Sequence, residues 1–450
     1  MKQTSKAAEL LEKIFWIFLF VNPFLDIING VYINLVMGVG VLDVKFTNTL
    51  GVTPSLVARM VMLVAFALYI LIVRDRKSIL TALPIGACWI LSMVGERVCM
   101  GALVSPFADA QYAARFCYNI VILMVYTRVF AARWGVDGKA LLRRLDGIIA
   151  FTLTVLSLSI LISAIVGVGY STYADRMGYR GSRGFFYAGN DITAVLALLL
   201  PLCTARFMEM DRKNAPRSRV VLYLIAGGLS ANALMIIGSK TAFIAVGVNY
   251  GVMLAAALLT FAREKKTHTL LGFAGALGAA LAVFAVIMLL SAAELWQSIA
   301  DSFAVTGHVV ELDGIERAML SGRSVKLAEH FELFKNGGVP VWLFGMGRGS
   351  QQEVLEMDVF EVLFYYGIAG CLSFLWLYAK AAIGFFKGMV RRPDIITAAL
   401  FTALGMCAGY LFIAGHVLFS VTSGFYFAFV IVYSRVFFAR EAKEILLWKE

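Results

Sequence analysis

The chain is ruled by about twelve apolar runs, each close to the length of a bilayer crossing and separated by short polar connections. They fall near residues 14–36, 55–73, 79–96, 116–132, 147–169, 188–206, 220–238, 241–261, 269–291, 358–379, 395–414 and 417–438. A helix that spans the hydrocarbon core needs roughly 20 apolar residues, so each run meets the requirement. Hydrophobic residues make up 60% of the 450 residues and charged residues 15%. Soluble domains carry about a quarter charged residues, so a soluble core is excluded. The expected fold is an all-α polytopic membrane protein, a single integral membrane domain over 1–450 with about 12 transmembrane helices.

Basic residues set the expected orientation. Lys and Arg cluster in alternate connections: "RDRK" (74–77), 133–144, 206–219, "REKK" (263–266) and 380–392, and both termini are basic. Twelve spans put all of these on one side, which the positive-inside rule assigns to the cytoplasm. The expected location is therefore the cytoplasmic membrane, with both termini cytoplasmic. The net charge of +11 follows from these clusters, and no nucleic acid partner is implied. The first run begins at Ile14 after Lys2, Lys6 and Lys13 with no cleavage pattern, so it is expected to stay as an anchor. The six cysteines lie in or beside apolar runs at no metal-ligand or redox spacing and read as small core residues.

Two outward segments depart from that charge rule. "YSTYADRMGYRGSRGFFYAGND" (170–191) carries Arg176, Arg180 and Arg183, and an extracytoplasmic loop of 292–357 lies between spans nine and ten. Outward cations call for a local reason, and an anionic ligand is one. Within the loop, 294–305 reads as a short interfacial helix. A second helix is expected from Ser324 to Asn336, stopped by Gly337, Gly338 and Pro340. Its stripe of Leu327, Phe331 and Phe334 opposes Arg323, Lys326 and His330, which fall within about 60° of one another. That basic face suits a phosphate, or equally a solvated surface. The "GMGRG" that follows is too short to specify a site.

Other ionisable groups lie at or inside spans: Asp26, Arg59, Glu96, Arg97 and Arg115. Such groups pair or line a cavity, and Asp26 with Arg59 or Arg97 is the expected pairing. "EVLEMDVFEVLFYYGIAG" (353–370) leads into the tenth span. On a continuous helix Glu356 and Asp358 face opposite ways, whereas Asp358 and Glu361 share a face. These acids suit a helix N-terminus, or a general base beside the arginines. His416 is a further titratable group on the same side.

In this order the pieces resemble the O-antigen ligase and O-antigen polymerase superfamily of bacterial membrane proteins over roughly residues 14–438. The resembling motifs are "RGSRGFFYAGND", with Arg183 and Asn190; "GSKTA", where Lys240 stands for the usual arginine; "SGRS" with Arg323, followed by "WLFGMGRGS"; and the lead into "GIAG". In the last motif the position eleven residues before Gly367 holds Glu356 in place of histidine.

The resemblance implies a glycosyltransferase acting on undecaprenyl-diphosphate-linked glycans at the outer membrane face, with no metal and no cofactor. Lys240 and Arg323 would hold the diphosphate. Glu356, or Asp358 in its place, would activate the acceptor hydroxyl, and Arg180, Arg183 and Asn190 would orient the donor. The acidic residue in place of histidine favours a polymerase over a ligase that passes glycan to a lipid or cell-wall acceptor. Membrane lipid and other polysaccharide-assembly proteins are the remaining expected partners. A lipid-linked glycan flippase or secondary transporter is the alternative class. Against it, no paired short or interrupted spans mark two matching halves.

Overall fold

The computed structural model describes residues 5–33, 53–99, 106–173, 180–212, 214–291, 322–348, 355–415 and 417–446, with isolated positions between 297 and 320. Its helices are α1 (Lys6–Val31), α2 (Pro54–Ile72), α3 (Arg76–Cys99), α4 (Pro106–Val166), α5 (Gly189–Glu209), α6 (Arg217–Ile237), α7 (Lys240–Glu264) and α8 (Thr267–Leu290). They continue with α9 (Arg323–Asn336), α10 (Gly338–Phe344), α11 (Asp358–Phe374), α12 (Trp376–Arg391), α13 (Ile395–Ile413) and α14 (Ser423–Phe438). The two strands, β1 (Ser171–Tyr173) and β2 (Arg180–Ser182), pair antiparallel with Ser171 opposite Ser182 and Tyr173 opposite Arg180.

The protein is an all-α polytopic membrane protein. Nine helices among the described residues are long and apolar enough to cross a bilayer, and α11 with α12, bent by 48°, passes as one further span. The runs at 116–132 and 147–169 are the two arms of α4, which breaks at Asp137 (φ −155°, ψ 97°). There the Asp137 carboxylate accepts the Ala140 N–H at 2.9 Å and caps the second arm. The last apolar run is the shorter helix α14. Of the helix expected at 294–305 only Gln297, Ala300, Asp301 and Ala304 are described, all helical, and His416 and the side chains of Glu96 and Arg180 lie outside the described residues.

Burial is distributed as a bilayer solvent demands. Helices α5 and α14 are enclosed on nearly every side. Helix α2 instead exposes Val57, Val61, Val64, Leu68 and Leu71, a stripe that suits lipid. Between helices, small residues and amides replace the hydrophobic drive that lipid removes. Gly228 of α6 lies against the Ala279 carbonyl of α8, and the Asn232 amide donates to Gly228 O and Ala280 O at 2.8 and 2.9 Å.

The two ends of the bundle carry different ionic work. One end holds the Asp75–Arg128 and Asp146–Arg206 pairs. At the other, Asp26 pairs with Arg59 at 2.5 Å, the first of the two pairings the sequence offered. That end also gathers the β1–β2 hairpin, α9 and α10, and the connection from α13 to α14.

Candidate functional site

Helix α9 begins at Arg323, after Gly322 in the left-handed region (φ 84°). Its basic side turns inward, so the solvated surface considered for that face is corrected. His330 is only 6% exposed: its Nδ1 donates to Lys326 O at 2.8 Å, leaving Nε2 to accept from the Tyr365 hydroxyl at 3.4 Å. The His330 ring lies over Phe364. Of the expected apolar stripe, Leu327 and Phe334 pack on the core, but Phe331 points outward. The aromatic face of α11 is what claims the histidine side.

The turn from α10 to Arg348 is docked by main-chain bonds. Helix α11 breaks at Gly367 (φ 66°, ψ −167°), which releases carbonyls that a continuous helix would satisfy. Met346 N–H donates to Phe364 O at 2.8 Å and Gly347 N–H to Tyr365 O at 3.0 Å, and Ser92 Oγ adds a bond to Tyr365 O at 2.6 Å. Gly345 and Gly367 permit this approach. A Cβ on Gly345 would lie 2.2 Å from the Tyr365 carbonyl, and one on Gly367 would lie 2.5 Å from that of Leu343. The docked turn places the buried Arg348 guanidinium 5.4 Å from the ring centroid of Tyr112 and 5.7 Å from that of Tyr365.

The carboxylates separate into different tasks. Helix α11 starts at Asp358, so Glu356 precedes it rather than riding on it. Arg323 Nη2 donates to Glu356 Oε2 at 2.6 Å, and Arg323 Nη1 reaches Leu320 O at 3.4 Å. Glu356 has φ +60°, an uncommon value for a residue with a side chain. Its N–H donates to Glu361 Oε1 at 2.7 Å, and the Tyr112 hydroxyl donates to the other Glu361 oxygen. Asp358 is 1% exposed and points away from this pair: its Oδ2 accepts the N–H groups of Val417 and Leu418, both at 2.7 Å. The structure thus brings Arg323 to Glu356 and commits Asp358 to the α13–α14 connection.

The other sequence candidates sit on neighbouring elements. Lys240 opens α7 behind its cap Ser239, whose Oγ accepts the Ala242 N–H at 3.2 Å. Helix α7 packs on α5, α6, α8 and α13, whereas α9 packs on α10 and α11. The hairpin with Arg180 meets the end of α6, where a Cβ on Gly181 would strike Ile237 O. Arg183 lies over the Tyr170 ring at 5.4 Å with its Nε buried and unpartnered. Burial pushes its guanidinium below the usual value, with Tyr187 and Tyr170 opposing the shift. Asn190 is half-buried in the first turn of α5.

Sequence reasoning passed over Arg348, Tyr112 and the 415–422 segment. "GMGRG" was too short to specify a site, Tyr112 sits at the edge of an apolar run, and most of 415–422 reads as the start of the last span, with only His416 marked as titratable. Glu361 carried one signal, its three-residue spacing from Asp358. No cluster of three or more His, Cys, Asp or Glu side chains that could hold a metal occurs among the described residues.

Fold and site together define a multi-pass membrane protein with an arginine–carboxylate pair set at one end of its helical bundle. The family of O-antigen ligase-like membrane proteins matches the chain over residues 8–305 and 307–440, and the protein belongs to that family. It is accordingly a membrane glycan ligase or polymerase in the general sense, an enzyme of glycosyltransferase type. None of the curated proteins compared with the chain matches it.

Proposed function

We propose that the protein polymerises undecaprenyl-diphosphate-linked oligosaccharide units at the outer face of the cytoplasmic membrane, through twelve spans and with both termini cytoplasmic. The observation that carries this reading is the bond from Arg323 to Glu356 at 2.6 Å, with the Glu356 main chain held at φ +60°. A guanidinium and a carboxylate in contact are each other's placeholders. An arriving diphosphate competes for Arg323, with charge-assisted bonds to its oxygens. Glu356, its bond to Arg323 given up, stands as a carboxylate beside the bound donor.

The reaction then balances without a metal. The acceptor hydroxyl attacks the anomeric carbon and gives its proton to Glu356. The bond from that carbon to the diphosphate oxygen breaks, and the lipid diphosphate leaves with the electron pair. Arg323 and Lys240 take up the charge that develops on it. Asp358 is the weaker candidate for the base, because it is buried and its Oδ2 already holds the N–H groups of Val417 and Leu418. Arg180, Arg183 and Asn190 orient the donor glycan from the hairpin side. Ligation to a lipid or cell-wall acceptor is the second reading and uses the same groups with a different hydroxyl. The carboxylate at position 356, in place of histidine, favours polymerisation.

The test uses purified protein with undecaprenyl-diphosphate-linked glycan from the cells that make it. Wild type is expected to elongate the glycan and release the carrier, and Arg323→Ala and Glu356→Gln to do neither. Normal product from Arg323→Ala would sink the site. Translocation without elongation would revive the flippase.

A further inference from the structure

The connection between α13 and α14, residues 415–422, is tied down by four other helices. Asn119 of α4 donates to both Leu418 O and Ser420 O at 2.8 Å. Ser420 Oγ donates to Asp191 of α5 at 2.8 Å and accepts the N–H groups of Thr422 and Ser423. Asp358 of α11 holds the N–H groups of Val417 and Leu418. Thr422 Oγ1 donates to Asp26 Oδ1 of α1 at 2.6 Å, the same oxygen that takes Arg59 Nη2. Arg59 is in turn steadied by Ser55 Oγ at 3.1 Å and Asn22 Oδ1 at 3.3 Å.

The far end of this segment meets the candidate base. Gly415 has φ +62°, and a Cβ there would lie 2.6 Å from the carbonyl carbon and oxygen of Glu356. Glu356 is therefore fixed on both sides: Glu361 takes its N–H, and Gly415 abuts its carbonyl. The strained φ of Glu356 persists only if its surroundings over-determine it.

We propose that the Asp26–Arg59 pair is a positioning device for Glu356, acting through Thr422 and the 415–422 segment. The inference rests on Glu356 being the base. A buried ion pair is a poor source of stability, since apolar replacements of similar volume are often neutral or better. Its value here is geometric. The pair aims a hydroxyl acceptor at Thr422, the segment stays seated, and the Glu356 carboxylate stays where the acceptor hydroxyl arrives. A shift of about 1 Å at a reacting group costs on the order of 100-fold in rate.

Thr422→Val keeps the shape of the side chain and removes the bond to Asp26, while Thr422→Ser keeps the hydroxyl. Both are assayed as full-length protein with undecaprenyl-diphosphate-linked glycan extracted from the producing cells. Thr422→Val is expected to lose about 10–100-fold in kcat, with KM within about two-fold and the melting point in detergent little changed. Thr422→Ser is expected to retain wild-type kcat. Should Thr422→Val not fold, Ser420→Ala frees the same segment from Asp191 and is expected to show the same kcat loss.

Wild-type kcat in a folded Thr422→Val or Ser420→Ala overturns the proposal while leaving Glu356 as base, provided Glu356→Gln is inactive. An equal loss in Thr422→Ser also overturns it. Turnover by Glu356→Gln overturns the base assignment itself, and this inference with it.

Discussion

Glu361 accepts the main-chain N–H of Glu356 at 2.7 Å, so one buried carboxylate fixes the backbone of another, half-exposed one. The second oxygen of Glu361 is held by the Tyr112 hydroxyl, which leaves the side chain little freedom. Glu361→Gln keeps an oxygen for the Glu356 N–H and is expected to hold kcat within about 10-fold of wild type. Glu361→Ala leaves that part-buried N–H without its acceptor and is expected to lose on the order of 100-fold. Steady-state elongation kinetics on the two variants check this.

Glu356 illustrates a conflict between stability and work. Its φ of +60° costs about 1 kcal/mol or more for a residue with a Cβ, and glycine is relieved of it. Its ion pair with Arg323 is partly exposed and worth about 0–1 kcal/mol. Glu356→Gly is therefore expected to melt no lower than wild type in detergent while losing all transfer activity. A large drop in melting point would show that the carboxylate carries structural load.

The Asp26–Arg59 pair is expected to behave non-additively. Asp26→Asn leaves the Arg59 charge buried beside a neutral amide, and breaking one half of such a pair costs about 3–5 kcal/mol. Replacing both residues by apolar ones of similar size, Asp26→Leu with Arg59→Met, is expected to restore most of that loss. Thermal unfolding of Asp26→Leu, Arg59→Met and the double variant measures the coupling. Activity is not expected to return with stability, because the Thr422 hydroxyl has lost its acceptor.

Acid sensitivity is expected at the opposite end of the bundle. Burial alone would raise the Asp75 carboxyl, but Arg128 and Ser78 bond to it and hold it below the usual carboxylate range. Its stabilising contribution is thus fully present above about pH 4, the unfolded value. It is lost as the pH falls through the lower folded value. Arg128→Gln removes the main opposing cation and lets burial raise the carboxyl, so the variant is expected to be less stable than wild type near neutral pH and to lose less further stability as the pH falls below about 4. Melting points taken between pH 3 and pH 6, roughly the window around that value, give the comparison.

The spans were legible in the sequence because each needs only an apolar run of the right length. Arg323 was legible because "SGRS" stands in a polar stretch with few competitors. The inward turn of His330 was not: helical spacing gives the angle between side chains but not which neighbour claims a face, and here Phe364 and Tyr365 of α11 do. The separation of Glu356 from Asp358 depended on where α11 begins. A continuous helix sets them on opposite sides, whereas a start at Asp358 frees Glu356 to meet Arg323. The 415–422 segment was opaque for another reason. Its partners Asp26, Asn119, Asp191 and Asp358 are scattered along the chain and share no local pattern.

The turn that carries Arg348 is held through the N–H groups of Met346 and Gly347, not through their side chains. Anchoring of that kind is indifferent to what residue 348 is. The scaffold fixes where a side chain will stand above Tyr112 and leaves its chemistry open. Within this architecture, a different residue on the same perch requires no redesign of the loop.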